Sequence, residues 1–111
     1  MKIIEQSREL SKREKYKMTL DAGVIPMKNV EDGTLINVDA IVTFEDEKKD
    51  GEVVTITSIL TDEGNVYAFQ SATFRKSLDD IIDIMDGEKF SIIKESGETN
   101  AGRPYINCRL A

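Results

Sequence analysis

The 111-residue chain contains no histidine, a single cysteine and no long apolar run. Without histidine it lacks Ser-His-Asp and Cys-His catalytic arrangements, imidazole acid–base chemistry and most transition-metal sites. We therefore expect a protein that is not an enzyme and holds neither a cofactor nor a metal. Cys108 has no partner for an internal disulfide, which favours a reducing, cytoplasmic compartment. No segment approaches the ~20 apolar residues of a membrane helix and no signal peptide is recognisable, so no membrane partner is expected.

The net charge of −6 is unevenly distributed along the chain. Residues 1–18 carry six basic and three acidic side chains, whereas residues 31–66 carry ten acidic and two basic ones. A surplus of negative charge argues against a nucleic-acid partner, because phosphates are attracted to basic surfaces. Since the acidity is local, a basic groove is still compatible with this composition.

Hydrophobic periodicity predicts strands and two helices. Ser11-Lys12-Arg13-Glu14 matches a capping box and predicts a short helix over about residues 12–18. A second helix is predicted from Ser71 or Thr73 to Gly87, because apolar residues recur there with helical spacing. The predicted strands cover residues 35–44, 53–60, 66–70, 90–94 and 105–110. One face of the first strand is predicted to carry Ile36, Val38, Ala40, Val42 and Phe44.

This order predicts a mainly β fold with one or two helices. The sequence β-β-β-α-β-β, preceded by an N-terminal helical arm, is the connectivity of an OB-fold-like five-stranded barrel. Residues 1–33 would form a basic arm and loop, and residues 34–111 the OB-like part of a single structural domain. A five-stranded α+β sandwich with different pairing is the alternative, because periodicity predicts elements and not their partners.

Aromatic and polar residues alternate on two of the predicted strands. Tyr105, Asn107 and Arg109 are predicted to face outward, and Tyr67 and Phe69 to share one face of the third strand. Single-stranded nucleic acids are bound by aromatic rings that stack on bases and by cations that contact phosphates. We therefore interpret Tyr67, Tyr105 and Phe69 as candidate stacking residues, with Phe44 as a further ring. The alternative is that Tyr67 and Phe69 form the buried face of this strand.

Basic residues supply the candidate phosphate contacts. Arg103 ends the glycine-containing loop of residues 97–104, in which the backbone can approach a ligand closely. Four cations of the predicted N-terminal helix would form an electrostatic arm, although they also fit a solvated face paired with nearby glutamates. The predicted set is Lys12, Arg13, Lys15, Lys17, Lys94, Arg103 and Arg109.

Three segments resemble a known family. The opening residues 1–14, the segment Phe69-Gln70-Ser71-Ala72-Thr73-Phe74 and the ending Ala101-Gly102-Arg103-Pro104-Tyr105-Ile106-Asn107-Cys108 are similar to small single-stranded DNA-binding proteins of bacteriophages that infect Gram-positive bacteria. The resemblance implies an OB-like domain that coats single strands during phage replication or recombination. It also implies a location in the bacterial host cytoplasm and phage replication proteins as further partners.

The leading hypothesis is therefore a sequence-tolerant, non-enzymatic single-stranded DNA-binding protein. The alternative is a small protein-interaction module, whose acidic face binds a basic partner and whose aromatic residues all lie in the core. Both hypotheses are compatible with a homo-oligomer.

Overall fold

The computed structural model describes residues 1–111 and is mainly β, with seven strands and two α-helices. The strands are β1 (Lys2–Gln6), β2 (Ile25–Pro26), β3 (Leu35–Glu47), β4 (Val53–Thr61), β5 (Val66–Phe69), β6 (Ser91–Glu98) and β7 (Pro104–Leu110). The helices are α1 (Lys12–Thr19) and α2 (Ala72–Met85), and Met27–Asn29 forms a 3₁₀ turn. The predicted order β-β-β-α-β-β is confirmed for β3 to β7 with α2.

The N-terminal segment is not simply the helical arm that the sequence predicts. β1 precedes α1 and pairs antiparallel with β3, so that Ile3 lies opposite Phe44. β2 follows α1 and pairs parallel with β5. Both strands are short, and neither shows the alternating pattern of a half-buried strand. Each forms by pairing with the edge of a strand that is distant in sequence, which no local pattern predicts.

The strands form one curled sheet in the order β2-β5-β4-β3-β6-β7, with β1 beside β3. The long strand β3 pairs with β6 through its first residues and with β4 through most of the remainder. β2 pairs only with β5, and β7 pairs only with β6. The sheet therefore curls without closing, and we call the gap between its β2–β5 edge and β7 the seam.

A β-bulge divides β3 between two cores, and the prediction of one apolar face along this strand is wrong. Val38 pairs with Thr61 and Ala40 with Leu60, so Asp39 has no partner on β4. An extra residue of this kind reverses which side chains face a given side of the sheet. The barrel core accordingly contains Ile36, Val38 and Ile41, whereas the outer core contains Ala40, Val42 and Phe44.

Helix α2 fills the barrel core through Phe74, Leu78 and Ile81. Its N-cap is Ser71, whose hydroxyl accepts a hydrogen bond from the Phe74 N–H at 3.1 Å. The helix ends at Asp86, which adopts the left-handed conformation with φ of 46°. One of the two predicted caps and the predicted apolar stripe are therefore confirmed.

Helix α1 packs against the opposite side of the sheet. Its Met18 is fully buried among the apolar side chains of β3, β4 and β5 that form the outer core. The predicted capping box is present, because the Glu14 N–H donates to Ser11 Oγ and the Ser11 N–H donates to Glu14 Oε1. Since Met18 alone of this helix is buried, α1 presents its polar surface to solvent.

Arg8 links the N-terminal segment to the bulge of β3. Its guanidinium donates to Glu14 at 2.8 Å and to Asp39 at 3.1 Å. The hydrogen bond from Arg8, followed by that from the Ser11 backbone, lowers the pKa of Glu14 from 4.5 to about 2. The ion pair therefore stabilises the fold only while Glu14 is ionised.

This link predicts a stability difference that depends on pH. The unfolded chain takes up a proton on Glu14 near pH 4.5, whereas the folded chain resists protonation until about pH 2. The stabilisation is therefore complete above pH 4.5 and is lost as the pH falls towards 2. Thermal unfolding of wild type and Glu14→Gln should differ at neutral pH and converge in acid, and an unchanged difference would contradict this assignment.

Candidate nucleic-acid interface

Tyr105 lies on the outer face of the β6–β7 hairpin, as the sequence predicts. It pairs with Gly97, and its ring lies directly over that residue. A Cβ placed on Gly97 would lie 2.5 Å from the tyrosine Oη and 2.6 Å from Cζ, so glycine is needed for this position of the ring. Tyr105 is 37% exposed. The hairpin thus presents an aromatic ring whose position is fixed by packing.

Arg103 precedes Tyr105 by two residues, in the turn of the same hairpin. The Thr99 N–H donates to the Arg103 carbonyl at 2.9 Å, and the Arg103 N–H donates to Thr99 Oγ1 at 3.1 Å. Gly102 has φ of +80°, a conformation that other residues rarely adopt. The backbone of the turn is therefore ordered, while the Arg103 side chain is exposed and forms no ion pair.

Arg109 and Asn107 share the outer face of the hairpin with Tyr105. The Arg109 guanidinium forms an ion pair with Glu95 at 2.5 Å, so a phosphate would have to compete with a carboxylate for it. The Asn107 Oδ1 is buried without a hydrogen-bond partner. We call Gly97, Arg103, Tyr105, Asn107 and Arg109 the hairpin surface.

The other predicted rings do not join this surface. Phe69 is 6% exposed and packs against Phe74 with ring centroids 4.3 Å apart, so neither face of its ring is free for a base. Phe44 is equally buried in the outer core. Tyr67 packs half-buried against the barrel core, on the inner side of β5. The interpretation of Phe69 and Phe44 as stacking residues is corrected, because both belong to the cores.

Lys94 also departs from its predicted role. It points into the barrel side of β6 and is 3% exposed. Its ammonium donates to Asp32 at 2.7 Å and to Ser96 at 3.1 Å. The bond from Lys94, followed by that from Ser96, lowers the pKa of Asp32. Lys94 therefore fixes the loop before β3 to β6, and its charge is not available to a phosphate.

Helix α1 carries most of the available positive charge near the N-terminus. Six of the 15 lysine and arginine side chains form ion pairs, and none of these six belongs to α1. The unpaired cations of the helix are Lys12, Arg13, Lys15 and Lys17. Because the outer core fixes α1 to the sheet, these charges belong to the folded surface and not to a loose arm.

A cleft of about 470 Å³ opens at the seam, and no sequence pattern indicated it. Its walls come from Pro26 and Lys28 before β3, from Ala68 and Gln70 at the end of β5, and from Ile106 of β7. No carboxylate lines it. Such a cleft arises only when the two edges of the sheet approach each other, so it leaves no local signature in the sequence.

The structure shows no metal-binding cluster, no reactive thiol and no membrane-spanning helix. No group of three or more histidine, cysteine, aspartate or glutamate residues is arranged to hold a metal ion. Burial raises the pKa of the Cys108 thiol to about 12, which keeps it protonated at neutral pH. None of the helices has both the length and the apolar character needed to span a bilayer.

Comparison with known proteins decides the family. The model of the phi29-type phage single-stranded DNA-binding protein family matches residues 11–111. The chain belongs to this family. Two relatives, the single-stranded DNA-binding proteins of Bacillus phages phi29 and PZA, are each 28% identical over 90 residues, which cover 76% of this chain and 73% of theirs. No solved structure matches the chain.

The family match includes α1, the hairpin surface and the seam, but it excludes β1. The resemblance to phage single-stranded DNA-binding proteins is confirmed, and Tyr105 and Arg103 lie on one hairpin. The contact of Tyr105 with Gly97 was not predicted, although pairing β6 with β7 in a hairpin places Gly97 opposite the ring. Glycines opposite aromatic residues in paired strands are a known arrangement, so this contact could have been predicted.

Proposed function

We propose that this protein binds single-stranded DNA without sequence preference and coats exposed strands during phage DNA replication or recombination. Binding would combine base stacking with phosphate contacts and would involve no catalysed reaction. The site of action would be the cytoplasm of a bacterial host, where phage replication proteins are further partners. Family membership over residues 11–111 and the names of the phi29 and PZA relatives support this function.

One observation carries the mechanism: the Tyr105 ring is held over Gly97, on the hairpin whose turn carries the unpaired Arg103. A fixed ring loses little conformational freedom when a base stacks on it, and every base offers a π-face. An arginine near the ring can contact the phosphate that follows the stacked base. The combination suits a strand of any sequence.

The strand order supports an OB-type barrel with an open seam. β3 lies between β4 and β6, with β5 and β7 beyond them, which agrees with the five-stranded Greek-key arrangement. OB-fold proteins bind oligonucleotides on the second and third strands and on the loops after the first and fourth. The five barrel strands of this chain are β3 to β7. The loop after the fourth of them, β6, carries Arg103, and α1 lies over the second and third, β4 and β5.

The α1 cations predict a change in salt dependence. Binding of an oligothymidine of about 30 nucleotides should weaken linearly on a log–log plot as salt rises, with a slope of about −0.7 per neutralised phosphate. Replacing Lys12, Arg13, Lys15 and Lys17 by alanine should make this slope shallower, because fewer counterions are released. Fluorescence anisotropy measured from about 50 to 300 mM salt gives both slopes.

One outcome would contradict the role of α1, and another would contradict DNA binding itself. Equal slopes for wild type and variant would remove α1 from the interface. Absence of wild-type binding to a ~30-nucleotide strand at about 50 mM salt would favour the interaction module with an acidic face, since electrostatic binding is strongest at low salt.

A further inference from the structure

The seam cleft differs in its charge from four further clefts of this acidic chain. Four further clefts on the surface each include at least one carboxylate in their lining. The seam cleft includes none, and Lys28 is the one charged residue in its wall. Lys28 is exposed and forms no ion pair. A polyanion that avoids the acidic surfaces therefore meets an unopposed cation here.

The remaining walls suit a flat, partly apolar group with polar edges. Ala68 of β5 and Ile106 of β7 line the cleft from opposite edges of the sheet, and both are half-buried. Gln70 is exposed at the rim, and its amide offers both hydrogen-bond donors and an acceptor. A nucleobase has this composition, with apolar faces and an edge of donors and acceptors.

The cleft and the hairpin surface include neighbouring residues of β7. Ile106 follows Tyr105 on β7, and the two side chains point to opposite sides of the strand. Because β7 is an edge strand at the seam, a strand that stacks on Tyr105 reaches the cleft by passing over this edge.

We infer that the seam cleft holds one base turned out of a single strand, with Lys28 contacting an adjacent phosphate and Gln70 the base edge. This inference rests on the proposed function and extends it. The Gln70 amide can present its donors or its acceptor, so the cleft accepts any base. In a duplex the bases are paired and stacked, and turning one out costs free energy. The cleft therefore provides a reason for preferring single strands that phosphate contacts alone do not supply.

Two variants test the cleft against a matched control. Ala68→Leu fills the cleft, and Lys28→Glu reverses the charge in its wall. Each should weaken binding of a ~30-nucleotide oligothymidine about fivefold or more, the lower bound of a single base contact, and should weaken duplex binding less. The control is Lys2→Glu, an exposed and unpaired lysine on β1 that lines no described cleft; screening should limit its effect to about twofold.

The outcomes separate the cleft from the general function. If wild type binds the strand and both cleft variants bind as tightly as Lys2→Glu, the cleft is not a base site while the proposed function stands. If single-strand and duplex affinities fall equally, the cleft does not distinguish unpaired bases and the inference is overturned. Failure of the wild-type protein to bind the single strand would instead refute the proposed function. Should Ala68→Leu fail to fold, Lys28→Glu and Gln70→Ala replace exposed side chains and give the same decision.

Discussion

Replacing Tyr105 by alanine is expected to weaken binding of single-stranded DNA by about 1–3 kcal/mol, roughly a 5- to 150-fold loss of affinity. The ring is partly exposed and is held over Gly97, so its removal takes away a stacking platform that needs little reorganisation. The free energy of unfolding should fall by less than about 1 kcal/mol, because only cross-strand contacts on an outer face are lost. Equilibrium titration and chemical denaturation measure the two quantities separately.

Two companion variants isolate the ring and its position. Tyr105→Phe keeps the ring and should retain most of the affinity. Gly97→Ala keeps the tyrosine but introduces a Cβ where the ring now lies, so it should weaken binding by displacing the ring. If Tyr105→Ala unfolds the domain, or leaves the affinity unchanged, the ring is structural and the hairpin surface is not the stacking site.

Met18→Ala is expected to lower the free energy of unfolding by about 2–5 kcal/mol. Met18 is fully buried in the outer core, and its truncation leaves a cavity between α1 and the sheet. Because this contact fixes α1, loosening it should also make the salt dependence of DNA binding shallower. Urea denaturation of the variant gives the change in stability directly.

Lys17→Ala is the matched control for this prediction, since it replaces the exposed neighbour of Met18 on the same helix. Its effect on stability should stay within about 0.5 kcal/mol, as for most surface substitutions. An equally small effect of Met18→Ala would show that the outer core does not fix α1 to the sheet.

Local sequence patterns predicted the helices and the barrel strands, but not which residues of the strands pair with one another. The capping box at Ser11 and the apolar stripe from Phe74 describe contacts within one helix, so a window of the sequence contains all the information. The two cores on either side of β3 depend on the bulge at Asp39, which is a property of its pairing with β4. No property of β3 alone reveals where the pleat reverses.

The candidate site shows the same division. Tyr105 and Arg103 lie on one hairpin, where alternation and a short connection suffice to predict a shared surface. Lys94 does not contact solvent as a phosphate ligand would, because Asp32 from a distant loop compensates its buried charge, and no local pattern around residues 90–94 reveals this pairing. The seam cleft combines β5, β7 and the 3₁₀ turn, which only the curl of the sheet brings together.

The central claim is that the exposed Tyr105 ring and the unpaired Arg103 of the hairpin surface bind single strands, although the rest of the molecule is acidic. Its most direct test is competition between single-stranded and duplex DNA of about 30 nucleotides for the wild-type protein at about 50 mM salt. The structure predicts that the single strand displaces the duplex and that rising salt weakens both. Equal competition by the two forms, or no binding of either, would contradict this account.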